Sequence, residues 1–197
     1  NAQENYWQSL LDGVPVLDLP TDFSRPATQQ FNGEVLVSQL PESLTTACRQ
    51  LAGQTEVTLF MLLLAAFECL LSRYSGQQDF AVGSPIAGRN RQEFENLIGL
   101  FINTLVLRAD LSHDPDFNAC LQRVQQSVLS AYVHQDLPFE QLVESLSCSR
   151  DMSHSPLFQV MFTLTNAQQE TLSLPDDLQV SVCDAATTTA KFDLTLA

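Results

Sequence analysis

Three histidines, His113, His134 and His154, are the residues best suited to move a proton near neutral pH. His134 opens the run His134-Gln135-Asp136, with Glu140 close behind. A carboxylate beside an imidazole is an acid/base arrangement. The same two acids also lie around the start of a helix expected after Pro138, where the helix dipole stabilises negative charge, and that structural role outweighs the catalytic one. Arg150-Asp151, followed by Ser153, Ser155 and Pro156, reads as a binding loop or, more simply, as a turn held by side-chain hydrogen bonds and an ion pair. The run from Ser84 through Arg89 to Arg91 puts two arginines on one loop, able to meet an anion or another domain, or merely solvated. Asn103 interrupts an apolar strand, and a buried amide must find partners or cost about 1–3 kcal/mol. It either satisfies the backbone or faces a polar passage.

Several chemistries lack their residues. The sequence contains neither G-x-G-x-x-G nor G-x-x-x-x-G-K-[ST], and no G-x-S-x-G nucleophile elbow. None of the histidines has a second at metal spacing, which leaves a zinc hydrolase without ligands. The five cysteines are scattered with no C-x-x-C pair, as expected of reduced, mostly buried thiols in a cytoplasmic protein. Nine basic residues against 23 acidic ones give a net charge of −14. That balance disfavours nucleic acid and anionic membranes, both of which need clustered Lys and Arg.

The elements that must position these groups follow from periodicity in a 197-residue chain, 45% apolar. Residues 1–12 read as the end of a helix stopped at Gly13, and 14–32, with three prolines, as an extended connector. Residues 33–40 alternate and suggest a strand; Pro41 opens a helix over about 42–53. The run after Thr58 reads as a buried central helix, since its roughly 20 Å falls short of the ~30 Å a membrane needs. Strands are expected at 79–86, 100–111, 158–165, 178–185 and 191–197. Residues 87–99 form a loop with a helical turn. Asp114 or Asp116 caps a helix carrying Phe117, Cys120, Leu121, Val124, Val128 and Ala131 on one face, and Pro138 starts a last helix. Helices mixed with about six strands indicate an α/β layered fold. The chain opens on Asn1 and stops within an apolar alternation, so a piece of a longer polypeptide is expected.

At the level of motifs, IGLFINTLVLR (98–108), HQDLPFEQL (134–142) and RDMSHSPLFQVMF (150–162) resemble three successive signatures of the condensation domains of nonribosomal peptide synthetases. YWQSLLDG (6–13), SPIAGRNR (84–91) and KFDLTL (191–196) fit the same family in the same order. The resemblance implies a two-layer α/β sandwich similar to the chloramphenicol acetyltransferase fold, two such lobes enclosing a tunnel. It implies that carrier proteins bring substrates on phosphopantetheine arms, with no tightly bound cofactor, and that an acceptor amine attacks a donor thioester to form a peptide bond. The family's H-H-x-x-x-D-G motif is missing, and no two histidines are adjacent. Residues 1–197 therefore resemble the C-terminal lobe, inactive without its N-terminal partner: a helix end and connector over 1–32, then the lobe proper.

In that reading Ser84, Arg89 and Asn103 belong to the floor and tunnel. A segment within about 170–192 latches onto the other lobe. His134, Asp136, Pro138, Glu140, Arg150 and Asp151 are motif residues with structural roles. The implied partners are the N-terminal lobe, donor and acceptor carrier proteins and a neighbouring adenylation domain. Self-association of the isolated lobe is also expected. A non-catalytic lobe that docks carrier proteins through Arg89 and Arg91 is the alternative, and a self-sufficient acyltransferase using His134 a weaker one.

Overall fold

The computed structural model describes residues 2–89, 92–95, 97–146, 152–165 and 188–197. Its centre is a four-stranded mixed sheet in the order β2-β1-β3-β4. Strand β1 (Asp79–Ile86) pairs antiparallel with β2 (Asn103–Asp110) along its whole length, from Asp79↔Asp110 to Ile86↔Asn103. On its other side β1 runs parallel to β3 (Val160–Phe162), which in turn runs parallel to β4 (Leu194–Leu196). Cover explains composition: Phe80, Val82 and Val160 of the two central strands are wholly buried, as is Val106 of edge strand β2, on which the long helix Phe117–Val133 packs, whereas edge strand β4 is exposed throughout.

Two long helices supply the other side of the core. Helix α3 (Leu59–Ser75) is N-capped by the Thr58 side chain, which accepts from Met61 N at 3.2 Å. It ends at Gly76, whose φ of 73° is the left-handed cap that glycine tolerates. Helix α5 (Phe117–Val133) is capped by Asp116 rather than Asp114, through Ala119 N at 2.8 Å. The two helices pack on each other, α5 lies on β2, and the rings of Phe60 and Phe67 reach Phe162 of β3. Helix α1 (Ala2–Leu11) seats the buried Trp7 and Leu11 and packs on α6 (Phe139–Ser145), while α2 (Glu42–Gln54) leans on α3.

The connector after α1 is extended but not loose. Gln159, itself buried, accepts from Leu17 N at 2.9 Å, and Gln77 bonds Val16 O and Asp18 N at 2.9 and 2.7 Å. Further along, Arg25 grips the Asp193 carboxylate with two guanidinium nitrogens at 3.0 and 2.5 Å, tying the connector to the approach of β4.

Residues 33–40 correct the sequence expectation. They are extended but belong to no strand among the described residues, and Val35, Leu36 and Val37 are exposed. The chain makes one antiparallel bridge just before them, Asn32↔Thr189, with Gly33 N donating to Thr188 O at 2.8 Å. Alternation marks a chain able to join a sheet; a ladder also needs a partner. The expected strand at 100–111 begins only at Asn103, and that at 158–165 shortens to three residues. Leu157, at φ 66°, bends the chain just before it. The expected strand at 178–185 lies outside the described residues. Cys120 is buried, but Cys48 and Cys69 are only half-buried. Among the described residues no single helix is long and apolar enough to cross a membrane.

Candidate functional site

Where β1 and β3 run out, the sheet leaves a pocket of ≈ 520 Å³ between the first turn of α3 and the last turn of α5. Ser84 and Pro85 come from the end of β1, Thr163 and Leu164 from just beyond β3, Thr58 and Phe60 from the start of α3. Tyr132 and Gln135 complete it from the end of α5. Strand ends and helix starts meet here because β1 and β3 are parallel: both chains leave the sheet at the same end.

Ala87, Gly88 and Arg89 close one side of the pocket from the loop that follows β1, and the short helix α4 (Gln92–Glu95) lies further along that loop. Gly88, at φ 63°, lets the chain turn against the carbonyl of Phe101, and a Cβ there would collide with that oxygen. Arg89 then folds back over the loop. Its guanidinium carbon lies 4.4 Å above the Phe101 ring, and Nη1 donates to the Phe94 carbonyl. Phe94 and Phe101 stack at 5.6 Å. A basic side chain that the sequence offered as a reader of anions is thus engaged inside its own loop. Arg91 lies outside the described residues.

Asn103 sits at the first position of β2 and does not line the pocket. Its Nδ2 donates to Gln135 O and Leu137 O, both at 2.9 Å, and its Oδ1 accepts from Thr104 N at 2.9 Å and Phe139 N at 3.0 Å. All four bonds go to backbone, so one amide fixes the turn between α5 and α6 and thereby sets Gln135 in the pocket wall.

His134, one residue earlier, faces away. Its ring stacks on Tyr6 of α1 with centroids 3.8 Å apart, Nδ1 donates to Ser130 O at 2.9 Å, and its carbonyl accepts from Trp7 Nε1 at 2.8 Å. That is the geometry of a clamp between α1 and α5. Asp136 accepts from Gln3 at 3.4 Å, Pro138 caps α6 with its carbonyl on Leu142 N, and Glu140 occupies the first turn of α6. Arg150 and Asp151 lie outside the described residues.

The described pocket wall holds hydroxyls, an amide and one engaged guanidinium, but no imidazole, carboxylate or thiol. It can orient a substrate by shape and hydrogen bonds; no described residue in it could take a proton at neutral pH. Nor does any group of three His, Cys, Asp or Glu among the described residues come together as a metal site. Sequence reasoning named Ser84 and Arg89 but missed Thr58, Tyr132, Gln135 and Thr163 as wall residues. Thr58 carried only a helix-cap signal. Tyr132 lies off the buried face of α5, a position that periodicity treats as solvent.

The family model for the condensation domain matches residues 1–197. The chain is 48% identical over 194 residues to tyrocidine synthase 3 of Brevibacillus parabrevis, covering 98% of this chain and 3% of that protein. It is 50% identical over 196 residues to malpinin synthetase of Mortierella alpina, covering 99% and 2%. Among solved structures, a four-domain nonribosomal peptide synthetase bound to AMP and glycine superposes with a TM-score of 0.83 at 32% identity, over 86% of this chain and 13% of that one. The X-domain in complex with OxyB, from teicoplanin biosynthesis, gives a TM-score of 0.83 at 26% identity, over 99% and 42%. The chain therefore spans only a small part of the relatives it matches.

Proposed function

The chain belongs to the condensation-domain family, and from that premise we propose that it is the C-terminal lobe of such a domain, shaping one wall of a passage in which a peptide bond forms. The observation carrying this reading is the pocket at the shared end of β1 and β3, walled by hydroxyls, an amide and an engaged guanidinium, with no imidazole, carboxylate or thiol among the described wall residues. The sequence, with no adjacent histidines, agrees in placing the proton-handling imidazole elsewhere.

In this reading two carrier proteins deliver thioesters on phosphopantetheine arms. The acceptor's amine nitrogen attacks the donor's thioester carbonyl. A C–N bond forms, the C–S bond breaks, and the donor thiol leaves with a proton while the lengthened chain stays on the acceptor carrier. The lobe's contribution is register. Holding two reactants at attacking distance is worth up to about 7–11 kcal/mol in well-oriented cases. Ser84, Tyr132 and Gln135 are the residues placed to hold the tethered groups, and the loop pinned by Arg89 closes the floor. An adenylation domain and the N-terminal lobe complete the set of neighbours.

The test is reconstitution. This chain, its N-terminal lobe and both loaded carriers together should yield a dipeptidyl thioester on the acceptor carrier, read by mass spectrometry of the intact protein. This chain with the carriers alone should yield none above the uncatalysed rate. Comparable product without the other lobe would overturn the proposal.

A further inference from the structure

At the opposite end of β1 a second cavity, of ≈ 890 Å³, opens between α1 and α5. Its apolar lining includes Leu10, Leu111 and Val124, and Arg108 and Arg123 stand among its polar groups. Both arginines are committed. Arg108 holds the Asp79 carboxylate through Nε and Nη2 at 2.8 and 2.7 Å, and its Nη1 donates to Leu10 O and Asp12 O at 2.7 and 3.2 Å. Arg123 donates to Asp110 O and Ser112 O at 2.8 and 3.1 Å and pairs with the Asp110 carboxylate at 3.5 Å.

Two further polar groups line the same cavity. Glu68, on α3, lines it while only 5% exposed, and burial is what acts on its carboxyl. That burial pushes it up to about 8. Ser127 of α5 also lines the cavity, and its hydroxyl oxygen is buried with no partner among the described residues. A buried carboxylate is costly, and the group that relieves it best is a cation carrying N–H donors.

We propose that this cavity is a binding site for a small primary alkylammonium: as it binds, Glu68 gives its proton to solvent, the N–H groups donate to the resulting carboxylate and to the Ser127 hydroxyl, and the alkyl chain lies on Leu10, Leu111 and Val124. The donor–acceptor balance selects the class. An anion would find the guanidiniums already engaged. An alcohol supplies one donor, whereas an ammonium supplies three and the opposite charge. The site is separate from the pocket at the far end of β1, so this inference stands or falls independently of the peptide-bond reading.

The probe is n-butylammonium, titrated into the 197-residue chain and followed by NMR shifts of the amides around Glu68 and Ser127, with n-butanol and butyrate as matched controls. Saturable one-to-one binding is expected, with both controls about tenfold weaker or more, equivalent to about 1.4 kcal/mol. Glu68→Gln, nearly isosteric, should weaken the ammonium by at least about tenfold, and Ser127→Ala by a smaller factor. Both variants are checked by thermal melting; should Glu68→Gln fail to fold, Ser127→Ala decides. No saturable binding, equal binding of butanol, or undiminished affinity in the folded variants would overturn the proposal.

Discussion

Glu68 is the residue on which elementary electrostatics makes its sharpest statement. Its carboxyl is buried without a compensating charge and is pushed from 4.5 up to about 8. The folded protein therefore keeps that proton up to about pH 8, while the unfolded chain releases it near 4.5. Across that window the unfolded state binds fewer protons, so stability falls as pH rises, with a limiting slope of about 1.4 kcal/mol per pH unit. Urea midpoints of the unliganded chain should drop between pH 5 and pH 8 by more than those of Glu68→Gln, whose profile loses this contribution; parallel profiles would refute the assignment. Asn103 makes the complementary case. Asn103→Ala removes four hydrogen bonds to backbone at once and leaves part-buried donors and acceptors of β2 and the α5–α6 turn without that partner. A loss of about 2–4 kcal/mol is expected from chemical denaturation. Ser84 lines the pocket without a role in the turn or the caps. Ser84→Ala should therefore cost under about 1 kcal/mol and act instead on reconstituted turnover.

The elements follow from short-range rules wherever they are self-contained. Thr58 and Asp116 cap α3 and α5, and the periodicity of α5 buries Cys120, Leu121, Val124, Val128 and Ala131. Strands depend on partners, so alternation alone misleads at 33–40, where no ladder forms among the described residues. At the pocket, the loop carrying α4 is held by two local devices, the left-handed Gly88 and the Arg89–Phe101 contact. Gly88→Ala forces a Cβ into the Phe101 carbonyl and strains a positive φ, at about 1–2 kcal/mol. Amide hydrogen exchange across residues 97–102 should speed up severalfold in that variant, with β1 and α3 unchanged. Protection equal to the wild type would show that the loop is held by something else.

At the scale of the whole molecule, large apolar side chains stand in water at Phe23 in the connector, at Leu36 and Val37 after it, and at Ile98 and Leu100 in the loop between β1 and β2, all more than 85% exposed. In isolation this surface should drive self-association. Light scattering is expected to show apparent mass rising with concentration, and Ile98→Ser with Leu100→Ser to suppress that rise. A strict monomer over the same range would contradict it. The net charge of −14 opposes association at low salt, so the effect should strengthen as salt screens the repulsion.

By itself the sequence determined the helices, the fold class and the family motifs, because each of these is written in neighbouring residues: 3.6-residue periodicity, capping side chains, contiguous runs. It also exposed Asn103 as a residue needing partners, without naming them. Only the tertiary structure decided which partners those were, since Gln135, Leu137 and Phe139 lie more than thirty residues away along the chain. The same holds for His134, drawn against Tyr6 and away from the pocket, for Arg89 turned inward onto Phe101, and for the cavity around Glu68. Whether a polar group acts as clamp, wall or ligand site depends on which distant surfaces meet around it, and that meeting is fixed by packing of the whole sheet and its helices.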